Sequence, residues 1–289
     1  MSAAFTNPKG PTTQMVTPAE LGEYVANQRA QTREDWFVAS RSLEPSGKER
    51  GEENRIIADV WENCDNQEYR ESFSHWQGSQ GFQGEHWNAV GEKTHAVLSR
   101  YLPLFSTTFQ ARWHTNQLAM LEWGPGGGSN LFKFAPQSRL QYAVDLSAKN
   151  LGECAARLGD QAARFRPLVL SGPPESVQTE VGEPLDLFVS TAVFQHFPSK
   201  HYGLEVLACV QALLASGGVG YIQIRYDNGN PIYLPKTIDS YGRSLGHAFA
   251  TSYPLDLFAY ILDKLGFEVL SARIEDPNIN YAGFVFQKR

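Results

Sequence analysis

The chain has 289 residues, of which 42% are hydrophobic and 19% charged, and it carries a formal net charge of −6 with a pI near 5.7. This is the composition of an ordinary globular protein, long enough for one large domain or a domain with a substantial appendage. The acidic balance lacks the basic stripe that grips nucleic acid. Three scattered cysteines, Cys64, Cys154 and Cys209, with no CxxC pair, argue against a disulfide framework or a zinc site and fit a reducing compartment.

Residues 1–16 read as a polar arm rich in Thr, Pro and Gly, without the basic stretch and apolar run of a signal peptide. No apolar stretch is long enough to span a bilayer, so the expectation is a cytoplasmic protein with no membrane partner. Residues 17–115 read as a helical N-terminal region. Thr17-Pro18-Ala19-Glu20 forms a capping box for a helix reaching Ala30. Further helices are expected over Asn54–Cys64 and over Trp87–Tyr101, the latter stopped by Pro103. Between them, Ser72–Asn88 is dense in Gly, Gln, His and Trp and reads as an ordered loop.

Residues 116–289 change character, because strand-length apolar runs now alternate with amphipathic helices. The expected strands are Leu118–Trp123, Leu140–Asp145, Phe165–Leu170, Leu185–Thr191, Val219–Tyr226, Phe267–Ile274 and Tyr281–Gln287. Helix-length segments separate the first five, which predicts a parallel sheet built by crossovers. Only a short Asp-Pro-Asn turn separates the last two, which predicts an antiparallel hairpin. An insertion, 228–253, follows the fifth strand.

The first strand ends in an acid and runs into a glycine-rich turn, Glu122-Trp123-Gly124-Pro125-Gly126-Gly127-Gly128-Ser129-Asn130. Glycines admit positive φ and let a ligand approach the backbone. Amides at a following helix start are free to receive it. A dinucleotide turn of the GxGxxG type fails here, since its third glycine would fall on Ser129 or Leu131. The spacing is E-x-G-x-G-x-G, and a carboxylate at that position repels pyrophosphate while attracting an ammonium group. Asp145 ends the second strand, 21 residues after Gly124, where an acid can accept from both hydroxyls of a ribose.

From Leu118 to Arg289 the chain resembles the class I S-adenosylmethionine-dependent methyltransferases. The matching segments are Glu122-x-Gly124-x-Gly126-x-Gly128, Val144-Asp145-Leu146-Ser147, Leu185–Phe197, the Ser216-Gly217-Gly218 turn before the fifth strand, and the closing hairpin. The resemblance implies an α/β fold with a seven-stranded, mostly parallel sheet and an antiparallel last strand, here with a helical N-terminal extension. It implies S-adenosylmethionine as cofactor, with Glu122 and the backbone of Gly124, Gly126 and Gly128 at its methionine part. Asp145 would take the ribose, Leu146 would lie against the adenine, and Thr191 would border both cofactor and acceptor. Ser171, or a backbone group, would meet the adenine amino group.

Candidate acceptor-side residues follow from position. His196 is either a general base, an imidazole being suited to proton transfer near neutrality, or a turn histidine lining the cofactor pocket. Asp227 is a second candidate base. Arg225 and Tyr226 end the fifth strand, where Arg225 either binds an anionic acceptor group or pairs with the sheet's surroundings. Trp76 and His86, within the pairs His75-Trp76 and His86-Trp87, either cover the site and shield a sulfonium or form an apolar cluster under a loop. No third ligand accompanies His75 and His86, so no metal is expected. The two additions, N-terminal and 228–253, would meet over the strand ends around a small-molecule acceptor of sugar or natural-product type, methylated on oxygen or nitrogen. A homodimer stays open as a partner. The competing reading is a non-catalytic protein that binds S-adenosylmethionine without transfer.

Overall fold

The computed structural model describes residues 49–63, 85–227 and 251–289, all within the compact unit running from Leu43 to Arg289. The arm 1–16, the helix expected over Thr17–Ala30, Cys64, the loop residues 72–84 and the insertion residues 228–250 lie outside the described residues.

Helix α1 (Arg50–Asn63) begins one turn before the expected Asn54. Its first turn holds Glu52 and Glu53, which complement the positive end of the helix dipole, and Arg50 pairs with Glu53 one turn on. Helix α2 (Glu85–Tyr101) absorbs the residues 85–88 that were expected in the loop. It gives way to a tight turn, Leu102–Leu104, where Pro103 has no N–H to continue the ladder. A short helix α3 (Thr107–His114) follows, with the Ser106 hydroxyl accepting from the Phe109 N–H at 3.2 Å. Thr107 and Thr108 are weak helix formers, so this helix depends on its cap and on burying Phe109 and Trp113.

Strands β1 (Leu118–Trp123), β2 (Ser138–Asp145), β3 (Phe165–Val169), β4 (Leu185–Ser190), β5 (Leu214–Arg225), β6 (Phe267–Asp276) and β7 (Tyr281–Lys288) form one sheet. Its order is β3-β2-β1-β4-β5-β7-β6. The first five pair in parallel, while β7 runs antiparallel to both β5 and β6. The expected seven-stranded sheet with its antiparallel closing strand is therefore observed. The largest boundary difference is in β5, which starts at Leu214 rather than Val219. Leu214 pairs with Leu185 before a register shift, and the Gly217 carbonyl is held by the Ser106 hydroxyl and the Gln287 amide, so the glycine pair bends the strand without ending it.

Helices α4 (Ser129–Phe134), α5 (Ala148–Leu158), α6 (Lys200–Leu213) and α7 (Leu255–Lys264) complete the layers. All six residues of β1 are buried, as are all six of β4, because helices cover both faces. Leu187, Val189 and Val285 face a core that includes Leu98, Phe109, Trp113, Met120 and Phe134. On the other face Phe258 meets Phe194, Tyr253 and Phe284. Since β1 is flanked by β2 on one side and β4 on the other, the connections diverge there and leave a crevice at the carboxyl ends of the strands.

Gly220 in β5 lies against the Phe286 ring, where an added Cβ would stand 2.1 Å from ring carbon Cζ. Gly220→Ala should therefore overpack the layer and cost about 1–3 kcal/mol. Urea unfolding should show a lower midpoint with an unchanged slope; an unaltered midpoint would mean the ring yields freely.

Candidate functional site

Three segments meet at the crevice: the turn after β1, the end of β2 and the turn after β4. The glycine-rich turn needs its glycines for conformation, since Gly124, Gly126 and Gly128 all have positive φ, at 68°, 54° and 78°. Two also need the space. A Cβ on Gly124 would fall 2.5 Å from the Val193 side chain, and one on Gly128 would crowd Cys154 at 3.0 Å. The turn is closed by Gly124 N–H donating to Val144 O at 2.8 Å and Gly128 N–H to Pro125 O at 2.9 Å.

Glu122 is 1% exposed. Its Oε1 accepts from Asn130 Nδ2 at 2.6 Å, and the same amide nitrogen lies 3.0 Å from Thr191 Oγ1. Its Oε2 has no hydrogen-bond partner among the described residues. Burial pushes the carboxyl up to about 8, against the Asn130 hydrogen bond and the Leu131 amide, which favour the ionised form; Asp145 adds a further upward push. Asn130 thus joins Glu122 and Thr191, a role no sequence spacing marks, because it follows from where α4 starts beside β4.

Asp145 is half-buried at the end of β2, with Oδ1 accepting from the Ser147 N–H at 2.8 Å and Asn150 Nδ2 at 3.3 Å. The cap of α5 is Ser147, whose hydroxyl accepts from Asn150 N–H at 3.2 Å, so Asp145 is not the capping residue. Leu146 packs against Ile57, in a cluster that also holds Ile56, Val60 and Trp61, bringing α1 against the end of β2. Ser171 is exposed in the segment after β3. The neighbouring Gly172 carbonyl accepts from Asn54 Nδ2 of α1 at 2.6 Å, and Asn54 Oδ1 accepts from the Tyr202 hydroxyl at 3.3 Å. Arg50 adds an ion pair to Glu205 at 2.9 Å and lies 5.0 Å over the Tyr202 ring. Helix α1 is therefore tied from the β3 end to the β4 end of the crevice.

The turn after β4 holds Ala192 at φ 56° and leads to half-buried His196, which meets Trp61 of α1 edge-on at 4.9 Å. Gln195 Nε2 lies 3.3 Å from His196 Nε2 and donates to the Tyr281 hydroxyl at 2.9 Å. Arg225 is 6% exposed, with its guanidinium 5.4 Å from the Tyr281 ring centre and its Nε 3.4 Å from Ile279 O. The last residues of the expected insertion are fixed to this group. Thr251 N–H donates to Gln195 O at 3.1 Å, and Tyr253 bridges to Tyr226. Asp227 is exposed, and its N–H donates to Tyr253 O at 3.0 Å. Lys200 is lowered by its burial, with Asp227 acting in the opposite direction, so these two charges share the rim.

The structure thus gathers Glu122, Gly124, Gly126, Gly128, Thr191 and Asp145 around one end of the sheet, and joins His196, Arg225 and Tyr226 through Gln195, Tyr281 and Tyr253. Trp76 and the His86 side chain lie outside the described residues. Of the two readings of the His86-Trp87 pair, Trp87 follows the buried one. It is 1% exposed, its indole N–H donates to Gly127 O at 3.1 Å, and the cation over its ring is Arg157, at 4.9 Å. Trp61, by contrast, borders His196 and went unmarked, because nothing in its local sequence separates it from an ordinary apolar helix position. Among the described residues no helix is long and apolar enough to cross a membrane.

No protein-family model and no curated protein matches the chain. Among solved structures, the magnesium protoporphyrin IX methyltransferase ChlM from Synechocystis PCC 6803 with bound SAM superposes with a TM-score of 0.55 at 14% identity, covering 82% of this chain and 97% of that one. Its form with bound SAH gives 0.54 at 15% identity, over 82% and 100%. The N-methyltransferase NodS from Bradyrhizobium japonicum WM9 gives 0.48 at 16% identity, over 70% and 97%. With the strand order above, the fold is that of the class I methyltransferases.

The raised carboxyl of Glu122 makes the ligand-free protein sensitive to pH. Folding favours the protonated form, so its contribution is complete below the ordinary 4.5 and is lost as pH rises through about 8. Glu122→Gln keeps an acceptor for Asn130 and cannot ionise. Between about pH 5 and 8 the wild type should lose thermal stability relative to this variant; parallel melting curves across that range would refute the shift.

Proposed function

We propose that this chain transfers a methyl group from S-adenosylmethionine to a small-molecule acceptor. The observation that carries the reading is the buried Oε2 of Glu122, without a hydrogen-bond partner among the described residues, beside a turn of positive-φ glycines. A buried acceptor without a donor is costly, and an ammonium group in the crevice would supply one and restore the ionised carboxylate. The residues present fit the cofactor. Glu122 and the backbone of Gly124, Gly126 and Gly128 would hold its amino-acid end, with Thr191 and Asn130 fixing the carboxylate's orientation. Asp145 would accept from the ribose hydroxyls, Leu146 would press on the adenine, and Ser171 or the backbone beside it would meet the adenine amino group. When bound, the cofactor supplies an electrophilic methyl on sulfonium.

The chain's own contribution is alignment, exclusion of water and handling of a proton. Helix α1, with Trp61 against His196 and Ile57 against Leu146, covers this end of the crevice. His196 would accept a proton from an oxygen or nitrogen acceptor at a ring nitrogen, with Asp227 as the alternative base. Arg225, Tyr226, Trp76 and His86 would contact the acceptor. The net charge of −6 and this cover support a small acceptor of sugar or natural-product type over nucleic acid.

Calorimetry with S-adenosylhomocysteine tests the reading. The wild type should bind, and Asp145→Ala should weaken binding about ten-fold, through loss of paired hydrogen bonds to the ribose. No heat at millimolar ligand would sink it. Product assays over a panel of acceptors then separate an enzyme from a non-catalytic binder, which would bind the cofactor and yield no methylated product.

A further inference from the structure

The glycine-rich turn has almost no side chains with which to hold its own shape. Glycine is the residue with the most backbone freedom to lose, and Gly126, Gly127 and Gly128 are consecutive. Within the turn, the contact that closes these residues is Gly128 N–H to Pro125 O. Two further hydrogen bonds reach the turn from behind, each from a different helix. Trp87 of α2 donates its indole N–H to Gly127 O at 3.1 Å, and Cys154 of α5 points its thiol at Gly126 O at 3.3 Å. Both residues are buried, at 1% and 0% exposure.

In a trans peptide the carbonyl and the next N–H point in opposite directions. Holding Gly126 O therefore directs the Gly127 N–H away from Cys154. Holding Gly127 O directs the Gly128 N–H back toward Pro125, closing the turn. Two successive peptide planes are thus set from outside the turn by donors that do not enter the crevice.

The Trp87 anchor is itself built. Arg157 of α5 lies 4.9 Å over the Trp87 ring and 4.8 Å over Phe132 of α4. The Ser129 hydroxyl donates to Trp87 O and accepts from Gly91 N–H at 2.9 Å. Gly91 allows this approach, because a Cβ there would stand 2.5 Å from Ser129 O. Glu92 and Lys133 add an ion pair at 2.7 Å one turn further along. Helix α2, which belongs to the N-terminal region, is thereby locked onto the first residues after β1.

We infer that Trp87 and Cys154 are positioning residues: they hold the carbonyls of Gly127 and Gly126 from behind and so preset the turn that receives the amino-acid end of S-adenosylmethionine. This rests on the cofactor reading above. It makes the N-terminal helix α2 part of the cofactor site's construction without contact to the ligand, and it explains why a tryptophan sits where its face is closed by a guanidinium.

The test is calorimetry with S-adenosylhomocysteine on the full chain, with melting curves of each ligand-free variant. Trp87→Phe keeps a ring and removes the donor. Trp113→Phe is the control, since Trp113 is buried in the same core against Phe134 at 5.9 Å and His95 at 5.1 Å, away from the turn. Trp87→Phe should raise Kd about five-fold or more, while Trp113→Phe, at comparable loss of melting temperature, should stay within about two-fold of the wild type. Cys154→Ala should also weaken binding, and Cys154→Ser, which restores a donor, should recover most of it. A wild-type Kd in Trp87→Phe overturns the inference, as does equal weakening by Trp113→Phe. Should Trp87→Phe fail to fold, the Cys154 pair decides: equal affinity of its Ala and Ser variants overturns the inference. Absence of binding by the wild type sinks the cofactor reading and this inference together, whereas binding that Trp87→Phe leaves intact sinks the inference alone.

Discussion

A carboxyl group at the end of β1 is withdrawn from water with one oxygen bonded and the other without a donor among the described residues. Most of the molecule can be understood as what is needed to hold that arrangement. Burial on both faces of β1 comes from helices packed on either side of a parallel strand, and the reversal of strand order between β2 and β4 opens the crevice beside it. The cost of an uncompensated buried acceptor is met by the stability of the rest of the sheet, a common arrangement at sites prepared for a charged ligand.

The N-terminal helices divide two tasks between them. Helix α1 lies over the strand ends, tied down by Arg50 and Asn54 and presenting Ile57 and Trp61 toward Leu146 and His196. Helix α2 stands behind the glycine turn and is tied to β6 by Lys93, whose ammonium pairs with the Glu275 carboxylate at 3.0 Å, and by Tyr101, whose hydroxyl meets Ser271 at 2.7 Å. Among the described residues of the N-terminal region, one helix thus lies over the strand ends and the other packs behind the glycine turn.

The glycines at 124, 126 and 128 were legible because positive φ at three alternate positions leaves few other residues as solutions. The parallel sheet and its antiparallel closing hairpin were legible from the alternation of apolar runs and helices and from the short last turn, whereas the strand order came only from the pairing. The ends of β5 were not, because a glycine pair signals a turn locally and only the pairing of Leu214 with Leu185 keeps it in the sheet. For Trp87 the sequence left two readings open, a cover for the site or a buried apolar residue, and only the tertiary structure turns its indole to the back of the turn.

By itself, the sequence determined the class of fold and the glycine-acid turn, because both follow from short-range periodicity and from backbone conformations that few residues can adopt. Tertiary structure alone decided which side chains support that turn. Asn130 reaches Glu122, Cys154 reaches Gly126 and Trp61 reaches His196 across gaps of chain that carry no periodic signal, and each partner is selected by how helices seat against the sheet. Packing in a dense interior is specified by the simultaneous fit of many residues, so no single stretch of sequence contains it.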